Sequence, residues 1–231
     1  MALTDSLPSV TIRPADGPVR AVVLILHGGQ VTSLAPTRPS QLSAVRMIPF
    51  AAALERAGER IDVWTLRYRH RGWNGAQASP VADARWALDE VRRRHGSVPI
   101  ALVGHSMGGR TALRVADDPD VRGVVALAPW LPSGEPVEAI RGRRLLIAHG
   151  TRDCWTDLGG SLAYARRAES LAAEVRHVSI RGVGHPMLRR MSLWHGLTTL
   201  HTIETLADRT ADDAATNAPE KTRTERAQLL I

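Results

Sequence analysis

The residues Gly104-His105-Ser106-Met107-Gly108 have the pattern G-x-S-x-G, and they fall where an apolar run ends and a helical stretch begins. In that context a serine can act as a nucleophile, because a sharp strand-to-helix turn lifts its hydroxyl clear of the sheet. Glycines flank it because the turn strains the backbone and brings strand and helix close together, with no room for Cβ atoms. A serine hydroxyl is still a weak nucleophile at neutral pH; it needs a base to take its proton and an acid to orient that base. Two later loops supply both. His149-Gly150-Thr151-Arg152-Asp153 places a carboxylate just past one apolar run, and Gly182-Val183-Gly184-His185 places an imidazole just past the next. His185 is the expected base and Asp153 the expected acid, with Asp157, four residues on, as the second candidate.

Acyl transfer also requires donors for the negative charge that develops on the carbonyl oxygen, and losing one typically costs about 3 kcal/mol of transition-state stabilisation. The Met107 amide, at the start of a helix where the dipole helps, is one expected donor. Leu26-His27-Gly28-Gly29-Gln30 ends an earlier apolar run, and its glycines can turn a second amide inward: Gly29, with Gln30 as the near alternative. His27 and His105 are read as organising the backbone of their own motifs, and His149 as standing behind the acid.

Trp73, Trp130 and Trp155 sit on loops after strands and can wall an apolar acyl or aromatic pocket, although each can equally be core packing. Arg71 can meet an anionic substrate group or remain solvated. Cys154 lacks a turn motif of its own and reads as a small packed residue. Four strand-end histidines invite a metal site, but no close H-x-x-x-H pair or carboxylate cluster supports one, so neither metal nor cofactor is expected.

These loops converge only if the elements before them lie side by side. Apolar runs alternate with segments of helical period, which is the pattern of a parallel sheet covered on both faces by helices. Strands are expected over 9–13, 20–26, 60–66, 98–103, 121–127, 143–148 and 175–180. AVVLIL, PIALV, GVVAL and RLLIA are nearly continuously apolar, as strands buried on both faces must be. Helices are expected over 42–57, with Pro49 either starting or kinking the main part, and over 79–95, where Ser79 caps and Pro80 opens the first turn. Three more are expected over 108–116, 158–171 and 187–206. In a parallel sheet all carboxyl ends lie on one edge, where open α/β folds bind their ligands, so Ser106, Asp153 and His185 can meet there.

With these residues in chain order Ser, Asp, His, the sequence resembles the α/β-hydrolase superfamily, in small cap-less members such as carboxylesterases and lysophospholipase-like or dienelactone-hydrolase-like enzymes. HGG, GHSMGG, HGTRD and GVGH match the family's oxyanion, elbow, acid and histidine loops in order, and the resemblance covers about residues 20–206. A lid, where the family has one, follows the strand ending near Leu127; only residues 128–142 separate that strand from the next, which leaves no room for a lid domain. The resemblance implies a serine hydrolase acting on a small-molecule carboxylic ester or thioester. The same triad can also pass the acyl group to an alcohol or amine, or run a cofactor-free perhydrolase reaction. A non-catalytic binding module on this fold would usually lack a triad member, and none is missing.

The bulk properties agree with one soluble α/β domain over 1–206 followed by a polar tail over 207–231, expected to be mobile, whose apolar end 227–231 can dock or fray. No run of 18 apolar residues is present to cross a bilayer. The first twenty residues carry no basic, apolar signal pattern, and Cys154 is the lone cysteine, so the expected compartment is the cytoplasm. A net charge of +7 raises the question of a nucleic-acid partner. The cations are arginines apart from Lys221 and are scattered singly or near helix ends, as in Arg92-Arg93-Arg94, so none is expected.

Overall fold

A computed structural model describes residues 7–207 and 228–230. Eight strands form one sheet: β1 (Ser9–Arg13), β2 (Ala21–Leu26), β3 (Ile61–Arg67), β4 (Ile100–His105), β5 (Val121–Leu127), β6 (Arg144–Gly150), β7 (Glu174–Ile180) and β8 (Gln228–Leu230). Their spatial order is β1-β3-β2-β4-β5-β6-β7-β8. β1 runs antiparallel to β3 and every other pairing is parallel.

Alternation along the strands divides the core. Leu24, Leu26, Leu66 and Leu102 face one layer, whereas Val23, Ile25 and Val103 face the other. The first layer is covered by α3 (Ser79–His95), α4 (Met107–Arg114) and α5 (Leu158–Ala168), through side chains such as Leu88, Leu113 and Tyr164. The second is covered by α2 (Ile48–Ala57) and α6 (Met191–Ala207), through Phe50, Leu54 and Trp194. Each fully buried aliphatic side chain of this kind contributes about 1.5–3 kcal/mol, so two continuous layers hold the strand ends rigidly.

Element boundaries differ from the sequence pattern in ways with identifiable causes. β4 and β6 run on through His105 and Gly150, because parallel pairing continues to His105–Leu127 and Gly150–Ile180. The single helix predicted over 42–57 is two: a short α1 (Leu42–Val45), then α2 with Pro49 in its first turn. α3 spans the expected 79–95, but its cap position is Ala78, in the left-handed region (φ 42°), and not Ser79, whose hydroxyl accepts from Asn74 Nδ2 at 3.1 Å. α6 starts only at Met191, since Met187 and Arg190 adopt positive φ (56° and 55°) and break the helical run before it.

Between β5 and β6 there is one short 3-10 turn, Glu138–Ile140, and no lid domain. Of the predicted tail, residues 208–227 and 231 lie outside the described residues, while Gln228–Leu230 pair with His177–Ser179 of β7. Among the described residues no helix is long and apolar enough to cross a membrane.

Candidate active site

Ser106 occupies the turn between β4 and α4 with φ 56° and ψ −118°. A non-glycine residue reaches that region only when its surroundings force it, at a cost of about 1–3 kcal/mol. The forcing contacts are visible. The Ser106 amide donates to the Leu127 carbonyl at 2.9 Å, and its own carbonyl accepts from Trp130 at 3.1 Å and Arg110 at 3.2 Å. A Cβ at Gly104 would run into the Gly108 carbonyl, and one at Gly108 into the Leu26 carbonyl, so the elbow closes only with glycine at both positions.

Asp153 and His185 meet in the loops after β6 and β7. His185 Nδ1 donates to Asp153 Oδ2 at 2.8 Å. The other carboxylate oxygen, Oδ1, accepts from the amides of Trp155 (2.8 Å) and Thr156 (3.0 Å), and His149 Nε2 lies 3.3 Å from Oδ2. The Asp153 side chain is fully buried. Burial works to raise its pKa, but the hydrogen bonds from His149, His185, Thr156 and Trp155 outweigh it and hold the carboxyl well below the usual carboxylate range. Asp157 is spent elsewhere: its carboxylate caps α5 by accepting from the Gly159 and Gly160 amides, each at 2.9 Å.

Ser106 and His185 line one cavity of about 190 Å³, and Thr156, which touches Asp153, lines it too. The loop after β2 forms the facing wall. An added Cβ on Gly28 would come to 3.3 Å from Ser106 Cβ, so this backbone lies directly against the serine. Gly29, Gln30 and Met107 border the same cavity. The Gln30 amide donates to the Arg71 carbonyl at 2.8 Å and is thereby occupied.

His27 Nδ1 donates to the Gly28 carbonyl at 2.6 Å, and burial, partly offset by that bond, pushes its pKa down to about 4. His105 Nε2 donates to the His185 carbonyl at 3.1 Å; burial first, then the charges of His185 and Arg46, push its pKa down to about 3. Thr156 Oγ1 donates to Asp153 Oδ2 at 2.8 Å and lies 3.1 Å from His185 Nδ1 and 3.3 Å from His149 Nε2. Nothing in the sequence marks Thr156, because a threonine three residues past an acid has no motif. Cys154 is exposed.

The tryptophans separate. Trp130 and Trp155 line the cavity, Trp155 being 68% exposed with its ring centroid 5.1 Å from that of His185. Trp73 does not line it and is only 3% exposed. It packs in the core against Arg110, whose guanidinium carbon lies 3.8 Å above its ring and 4.6 Å from that of Trp130. Glu135 clamps this stack through Arg110 and Arg114, both at 2.7 Å. Arg71, whose Nε donates to the Pro36 carbonyl at 3.0 Å, does not border the cavity either; Arg46 does, and no motif announces it. Among the described residues no group of three or more His, Cys, Asp or Glu side chains could hold a metal ion.

A model of the alpha/beta hydrolase family matches residues 22–147 of the 231, and the chain belongs to that family. No curated protein matches the chain in sequence. Several solved structures share the fold. A serine hydrolase without a lid from Xanthomonas campestris is 17% identical with a TM-score of 0.65, covering 87% of this chain and 90% of its own. Est1E from Butyrivibrio proteoclasticus, solved with ferulic acid bound, is 14% identical with a TM-score of 0.67, covering 87% and 96%. The butyrate-bound thermophilic esterase Est2 from the Planctomycetes species Thermogutta terrifontis is 20% identical with a TM-score of 0.62, covering 93% and 92%.

Proposed function

We propose that the protein is a serine hydrolase that cleaves small-molecule carboxylic esters or thioesters. One observation carries the reading: His185, hydrogen-bonded through Nδ1 to Asp153, shares a cavity with a strained serine at a strand-to-helix elbow. With Nδ1 protonated toward the carboxylate, Nε2 carries the free lone pair and can take the Ser106 proton as Oγ attacks the carbonyl carbon. Asp153, ionised, steadies the imidazolium that results. The charge that moves to the carbonyl oxygen is received by the Met107 amide at the N-terminus of α4 and by the Gly29 amide. Collapse expels the alcohol or thiol, which leaves with the proton from His185. Water then attacks the acyl-enzyme, with His185 again as base, and releases the carboxylic acid and Ser106.

Family membership supports the reading, as does the likeness to proteins solved with ferulic acid and with butyrate, both carboxylic acids. The chemistry needs no metal or cofactor, and we assign the protein to the cytoplasm on its single cysteine. Labelling with a fluorophosphonate, alongside hydrolysis of p-nitrophenyl esters of increasing chain length, tests the assignment. Wild type is expected to label and turn over, and Ser106→Ala to lose the label and at least about 10⁴-fold in kcat. Equal labelling of the alanine variant, or none of wild type, would overturn it.

A further inference from the structure

The cavity that holds Ser106 and His185 contains an arginine that the mechanism above does not use. Arg46 follows α1 and shares a helix face with Ser43, three residues earlier, and both border the cavity. Among the described residues no Asp or Glu borders it, and no carboxylate lies within ion-pairing distance of Arg46. Its Nε is buried without a hydrogen-bond partner. Partial burial lowers its pKa, the direction expected of a cation that has lost water and gained no counter-ion. By contrast Arg69, Arg92, Arg110, Arg114 and Arg176 all hold carboxylates. A buried N–H donor left unpaired is unfavourable, and a guanidinium fork matches a carboxylate with two parallel bonds.

We propose that Arg46, assisted by Ser43, is the anchor for a carboxylate on the substrate, so that the favoured substrate is an ester carrying a free acid group a few carbons from the bond that is cleaved. This rests on the serine-hydrolase reading and narrows its substrate class. The volume suits such a molecule: about 190 Å³ admits a short chain, and Ser106 and Arg46 both line it. Trp130 and Trp155 supply apolar surface for the carbons between. The carboxylate can belong to the acyl part or to the alcohol part, and the two are separable by experiment.

The test pairs charged and neutral esters of matched length. Mono-ethyl adipate against ethyl hexanoate probes the acyl side, and 4-acetoxybutanoate against butyl acetate the alcohol side, with turnover followed by pH-stat. Wild type should favour the charged member of one pair by about 10- to 100-fold in kcat/KM. In Arg46→Gln that preference should fall toward one, while Arg46→Lys keeps part of it. A wild-type preference for the neutral member of both pairs, or a charged preference that survives in Arg46→Gln, would overturn the proposal. Calorimetric binding of the same esters to Ser106→Ala and to Ser106→Ala with Arg46→Gln reads the anchor without turnover. Binding of a charged ester that disappears with Arg46 supports the proposal, and binding indifferent to it refutes it. Fluorophosphonate labelling reports on Ser106 separately, so a labelled enzyme with no taste for anionic esters loses the anchor and keeps the hydrolase.

Discussion

At the residue scale, Thr156 holds three groups together. Its hydroxyl contacts Asp153, His185 and His149, so under the proposed mechanism it fixes where the imidazole points without touching the reacting atoms. Thr156→Val keeps the shape and removes the hydroxyl, leaving the carboxylate one donor short. A small misplacement of a catalytic base can cost about 100-fold, so kcat is expected to drop about 10- to 100-fold with KM little changed, and Thr156→Ser to restore most of it. Steady-state kinetics on one ester checks this. A fall in KM alone, or wild-type kcat in the valine variant, would count against a positioning role.

At the element scale, the loop from β6 to α5 carries two aspartates with different work. Asp157 accepts from the Gly159 and Gly160 amides and starts α5, whereas Asp153 accepts from Trp155, Thr156 and His185. Asp157→Ala should therefore cost about 1 kcal/mol of stability, the usual worth of a helix cap, and leave ester hydrolysis close to wild type. Asp153→Asn should do the reverse to catalysis, with turnover lost by several orders of magnitude. Urea denaturation and kinetics on the two variants separate them, and a catalytic collapse in Asp157→Ala would reverse the roles. Trp73 and Trp130 show the same division of work within one neighbourhood: the Arg110 stack draws Trp73 into the core and leaves Trp130 on the cavity wall.

At the scale of the whole molecule, buried histidines tie stability to pH. Burial, as the leading cause, pushes His27 and His177 down to about 4 and His105 and His201 down to about 3. In the unfolded chain these groups titrate near 6.5. Between about pH 6.5 and 4 the unfolded state thus binds protons that the folded state refuses, so stability falls as pH falls. Each such histidine steepens the slope by up to about 1.4 kcal/mol per pH unit. Asp153 acts in a lower window: its depressed pKa stabilises the fold above about 3.9 and that contribution fades below it. The midpoint of urea unfolding is expected to drop steeply from pH 6.5 to 4, with a shallower slope in His201→Gln, which lies on α6 away from the cavity. A flat profile across that range would show that these side chains accept protons while folded.

The alternation of buried strands and amphipathic helices, and with it the sheet, was legible in the order of residues. Continuous apolar runs such as AVVLIL leave a chain no other place to put them. That order also determined which loops end at the sheet's carboxyl edge, because parallel pairing puts every such end on the same side. Tertiary structure alone decided what those loops do with their side chains. The order of residues cannot say that the Gln30 amide is taken by Arg71, that Asp157 is spent on a cap, or that Trp73 turns inward onto Arg110. Nor can it say that Thr156 and Arg46 reach the cavity, since each arrives there through contacts with segments distant in the chain. Periodicity is a local property and survives in the sequence; hydrogen-bond partners and cavity walls are set by which distant atoms come within about 3 Å, and only the folded chain sets that.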